Sequence, residues 1–132
     1  MACFWEGIRS SLSKDDKNKL GITDNTIPNL ITTLKNNNTL DIKVLWQNKA
    51  LTKKEQEENY THIKDYNIDS HRNGYLCSTC DPFLILLCNT LNVNINMNIW
   101  GISYYIQLIR SIHIFLKVSV VILLIILKCN NP

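Results

Sequence analysis

Apolar and polar residues recur along this chain with two periods, and the switches between them mark out its elements. Phe4, Trp5, Ile8 and Leu12 fall at the spacing of one helical face, which predicts a short amphipathic helix beginning near Cys3. The polar stretch SKDDKNKLGITDN follows, with Gly21 as a stop signal. Either Asp24 or Thr26 can cap the next helix, which takes Pro28 in its first turn. That helix is expected to run through Leu30, Ile31 and Leu34 as far as Asn36-Asn37-Asn38. Residues 40–46, LDIKVLW, alternate in part and read as a short strand or an exposed edge.

Further on, Thr52 and Glu55 stand at capping-box spacing, and Lys54 and Glu58 are one helical turn apart. A solvated helix is expected there, with the charge run as its wet face. Turn formers then gather in DYNIDSHRNG, ending at Gly74. Asp81 is placed to cap a helix with Pro82 at its first position, burying Phe83, Leu84, Leu87, Cys88 and Leu91. Asn92 ends it. Val93, Ile95 and Met97 then alternate with Asn94, Asn96 and Asn98 as a strand does, and IWGISYYI follows at a hairpin-like distance. The pattern predicts a single α+β domain. N-terminal helices would pack on a small, mostly antiparallel sheet, with an apolar C-terminal segment that is either helix or strand.

Composition changes this picture mainly by being uneven. The 132 residues are 45% apolar and 19% charged, with a net charge of +3, which excludes a wholly disordered chain and gives no footprint for nucleic acid. There are 17 Asn, 18 Ile and 11 Lys but 3 Arg, the residues that AT-rich codons encode. Residues 1–70 balance ten basic against ten acidic side chains. After Asp81, 51 residues pass without one carboxylate side chain. Within them, Val118 to Leu127 is an apolar run broken only by Ser119. Ten residues are too few to span a bilayer as a helix, which takes about 20. Reaching back to Ile112 lengthens the run but takes in His113 and Lys117. Residues 107–132 thus read as an apolar tail, either a membrane anchor with snorkelling lysines or buried strand.

Five cysteines and no secretory signal at the N-terminus point to reduced thiols in a cytoplasmic setting. Cys77 and Cys80 have the spacing of a zinc half-site or a redox pair, and His71 and Cys88 could complete a ligand set. Cys88, however, falls on the apolar face of a helix, where cysteine is usually a small core residue. No second pair of that spacing exists, so no metal or cofactor is assigned. Cys3 is different, because a cysteine at a helix N-terminus feels the positive end of the helix dipole, which favours the nucleophilic thiolate.

Cys-Phe-Trp-Glu-Gly-Ile-Arg-Ser-Ser-Leu, residues 3–12, resembles the cysteine-bearing helix of ovarian-tumour (OTU)-like papain-fold peptidases of viruses. Gly74-Tyr75-Leu76 and Asp81-Pro82-Phe83-Leu84, then Leu87, Leu91, Val93 and Ile95, resemble the middle segment of that family, where a helix feeds a strand of the central sheet. The resemblance covers residues 1–106, read as an incomplete domain of this type from a large DNA virus, acting in the host cytoplasm. It implies Cys3 as nucleophile, His113 as base, and a ubiquitin-like protein or polyprotein as substrate.

The departures imply weak or absent activity. Only Met1 and Ala2 precede Cys3, where the family has an Asp-Gly-Asn loop that helps form the oxyanion hole. In His113-Ile114-Phe115 the aromatic residue is one place too late, and no acid follows. His62 and His71 precede the middle helix and are misplaced for the base. A shifted reading frame past Ile106 would account for both the tail's composition and the missing histidine strand. The alternative function is a small non-enzymatic protein held to a membrane by its C-terminal segment.

Overall fold

A computed structural model describes residues 3–73, 81–99, 102–109 and 119–124. The first helix, α1 (Cys3–Ser11), buries Phe4, Trp5 and Ile8, with Leu12 just beyond its end. The polar stretch after it is itself helical. Ser13 and Asp16 form a reciprocal capping box that starts α2 (Lys14–Leu20), and Gly21 closes it in the left-handed conformation at φ 78°. Helix α3 (Ile27–Asn36) starts from Thr26, whose hydroxyl accepts from the Asn29 amide. Asp24 stands one step back, accepting from the Thr26 amide and hydroxyl.

Strand β1 (Val44–Trp46) and strand β2 (Lys49–Ala50) are joined by Gln47 and Asn48, both at positive φ. Two such residues in a two-residue loop match the twist of a hairpin. Gln47 is an unusual choice for that backbone, and its side chain supplies a reason: Oε1 accepts from the Tyr105 amide at 2.7 Å while the Gln47 backbone N–H donates to the Tyr105 carbonyl. Helix α4 (Lys53–Asp65) opens with the expected Thr52–Glu55 capping box and carries the Lys54–Glu58 pair at 3.7 Å. A 3-10 turn, Ile68–Asn73, occupies the segment that reads as loop.

Helix α5 (Pro82–Leu91) is capped by Asp81 and ends at Asn92 in the left-handed conformation. Sequence periodicity predicts one buried face, but Phe83 to Cys88 are all buried. The reason is position. α5 touches β1, strands β3 (Val93–Ile99) and β4 (Ile102–Leu108), and helices α2, α3 and α4, so it has no wet side until Asn89 and Thr90, which are half-buried.

The sheet has five strands in the order β2-β1-β4-β3-β5, where β5 is Ser119–Leu124. Every pairing is antiparallel except β3 with β5, which is parallel. β1 therefore lies inside the sheet, between β2 and β4, so of the two readings of residues 40–46 the short strand holds and the exposed edge is corrected. Val44, Val93, Ile95, Met97, Ile106 and Leu108 point into the core beneath the helices. On the other face lie Asn94, Asn96, Ser103, Tyr105 and Gln107, none of them buried. This is an α+β fold with helices on one side of a mostly antiparallel sheet, and the apolar C-terminal segment contributes a strand. No helix among the described residues is long and apolar enough to cross a membrane.

Candidate functional site

Cys3 is the first residue of α1, the position at which the helix leaves its amide groups unpaired and its dipole positive. Two anchors hold that helix in place. On its buried side Trp5 and Ile8 are fully excluded from water, and α1 packs against α3 and β5. On its outer side Arg9 pairs with Glu6 and also donates to the Asn25 carbonyl at 3.2 Å, tying α1 to the loop before α3.

Beneath α1 sits a cluster of rings drawn from three segments. Trp5 meets Phe83 of α5 edge-on at 4.8 Å between centroids and Phe4 at 5.0 Å. Its indole N–H donates to the Tyr66 hydroxyl at 3.0 Å. Tyr66 and His62 both contact Phe83, at 5.2 and 6.0 Å. Burial holds the His62 imidazole below its ordinary value of 6.5, so the ring is neutral near pH 7. Tyr66 is fixed in turn by Lys35 of α3, whose ammonium donates to the Lys64 and Tyr66 carbonyls at the end of α4. His62 thus reaches the middle helix despite preceding it in the chain. Sequence reasoning passed over this cluster, although His62 and Tyr66 stand one helical turn apart and so share a face.

The other residues singled out from the sequence fall as follows. His113, Cys77 and Cys80 lie outside the described residues. Cys88 is a fully buried core residue of α5 whose thiol is pushed up to about 12 by burial, which suits packing and not metal ligation. His71 is half-buried in the 3-10 turn. Among the described residues no group of three or more His, Cys, Asp or Glu side chains is placed to hold a metal ion. A shallow cavity of about 350 Å³ opens where α5 passes into β3, lined by Lys43, Asn89, Asn92, Leu108 and Ile109. Asn89 there is occupied structurally, bridging the Lys43 amide and the Asp41 carbonyl at 3.0 and 3.3 Å.

Comparison with protein-family models, with curated proteins and with solved structures finds no match to this chain.

Proposed function

We propose that this chain is a degenerate OTU-like thiol hydrolase domain, derived from deubiquitinase-type enzymes of large DNA viruses and retaining little or no turnover. The observation that carries the reading is Cys3 at the head of α1, a helix seated on the sheet by Trp5 and Ile8. A thiolate there would attack the carbonyl carbon of a peptide or isopeptide bond. His113 would take the Cys3 thiol proton as base and pass it to the amine leaving group, and water would then hydrolyse the thioester to a carboxylic acid and the free thiol. His113 is the weak element. Residues 114–132 hold no carboxylate side chain to orient its ring, and Phe115 is displaced by one place from the family's pattern. Capture of an electrophile is therefore expected to outlast catalysis. Incubation with a ubiquitin carrying a C-terminal vinyl electrophile should label the protein at Cys3, and Cys3→Ala should abolish the adduct. Labelling that persists in Cys3→Ala overturns the assignment.

A second reading, attachment to a membrane in the host cytoplasm through residues 107–132, draws on the uncharged run from Val118 to Leu127. Flotation of the intact chain with lipid vesicles through a salt wash tests it. Recovery at the bottom of the gradient rejects it.

A further inference from the structure

His62 stands between two unlike surroundings. On one side its ring joins the cluster beneath α1, 6.0 Å from Phe83 and 6.2 Å from Tyr66 between centroids. On the other it borders a shallow surface cavity of about 420 Å³, lined by Glu57, Glu58 and Thr61 together with His62 itself. A neutral imidazole suits the rings, and burial there holds it below its ordinary value of 6.5. An imidazolium suits the cavity, because Glu58 lies one helical turn before His62 and is 45% exposed.

The rings that His62 touches lead to α1. Tyr66, one turn further on, accepts from the Trp5 indole N–H at 3.0 Å, and both pack against Phe83. Trp5 is fully buried in the first turn of α1. A helix of nine residues is marginal without tertiary contacts, so that turn depends on its anchor. Around His62, α4 brings Glu57 and Glu58, with Lys54 paired to Glu58 at 3.7 Å. α3 brings Lys35, whose ammonium donates to the Lys64 and Tyr66 carbonyls. α5 brings Asp81 at its head, accepting from the Leu84 amide, and α1 brings Glu6 and Arg9, which pair with each other. Of these carboxylates, Glu57 and Glu58 share the cavity with His62.

We propose that His62 is a proton-operated latch on α1: the neutral ring packs in the cluster and keeps Tyr66 against Trp5, whereas the protonated ring turns to the carboxylates of the cavity and loosens the first turn of α1. The latch is closed above pH 6.5 and opens as pH falls through the lower value that His62 has in the folded protein. It stands apart from any hydrolase chemistry, although α1 carries Cys3 at its head.

The test is amide exchange in the full chain at residues 7–10, whose amides close the first turn of α1. Corrected for intrinsic rates and expressed relative to β4, it should rise about threefold or more between about pH 7.5 and about pH 5. The midpoint should coincide with the titration of the His62 imidazole carbons read by NMR. In His62→Phe the ratio should keep its neutral-pH value throughout. Tyr66→Phe removes the hydroxyl that Trp5 donates to and should raise the ratio about threefold or more at neutral pH, with a weaker pH response. A ratio that does not change with pH overturns the proposal. So does a midpoint that departs from that of His62, a pH response that survives His62→Phe, or a Tyr66→Phe chain that behaves as the parent does. If a variant loses its native circular dichroism, the two midpoints in the unmodified chain decide alone.

Discussion

Single side chains in this protein matter most where they join segments distant in sequence. Phe83 is the clearest case, since its ring receives Trp5 from α1 and both His62 and Tyr66 from the end of α4. Phe83→Ala should cost about 3–5 kcal/mol, measured by urea denaturation, because α1, the end of α4 and α5 itself would line the resulting cavity and cannot all collapse into it. His62 gives the same cluster a pH dependence. Its imidazole titrates below 6.5 in the folded protein, so the native state binds fewer protons than the unfolded chain. The contribution is complete above pH 6.5 and is lost as pH falls below it. Replacement by an uncharged ring, His62→Phe, should flatten that acid limb of the stability curve while leaving stability at neutral pH nearly unchanged. An acid limb identical to that of the parent protein would assign the loss to other groups.

Elements show which local signals were sufficient. Thr26, Thr52 and Asp81 each cap a helix as their spacing predicts, because a hydroxyl or carboxylate three residues ahead of an unpaired amide needs no tertiary partner. The same logic was available for α2 in Ser13 and Asp16, but its charged interior hides it from a search for apolar periodicity. Asn92 ends α5 at φ 57°, a backbone that a branched side chain resists. Asn92→Gly should leave thermal stability about level, whereas Asn92→Val should lower it by roughly 1–2 kcal/mol. What an element's own sequence could not disclose was its neighbours. β1 reads as a short strand or an edge because three residues cannot signal pairing on both sides, and α5 reads as amphipathic because the side away from the sheet is closed only by α2, α3 and α4.

At the scale of the whole molecule, the acid-free stretch after Asp81 acquires a partial physical cause. α5 is enclosed from Phe83 to Cys88 and the core-facing residues of β3 and β4 lie beneath it, so a carboxylate at those positions would be buried without a partner. The remainder of the stretch includes β5, which joins the sheet beside β3 and under α1. Removing residues 110–132 should therefore bare the edge of β3 and the inner face of α1. The expected result is a fall of several kcal/mol, on the order of 25 cal/mol for each Å² of apolar surface exposed, together with a broader thermal transition. An unchanged midpoint would mean that the tail is foreign to the fold, as a shifted reading frame past Ile106 would make it.

By itself the sequence determined what depends on near neighbours: the starts of α1, α3, α4 and α5, the alternation in β3, the hairpin-like approach of β4, and the place of Cys3 at a helix head. Those features arise from hydrogen bonds and side-chain periods that span a few residues, so they can be read one window at a time. Only the tertiary structure decided that β5 runs parallel to β3, that β1 is interior, and that His62 and Tyr66 close over Phe83 beneath α1. Parallel pairing and ring clusters join residues far apart in the chain, and their stability comes from burial shared among segments, a quantity no single segment carries.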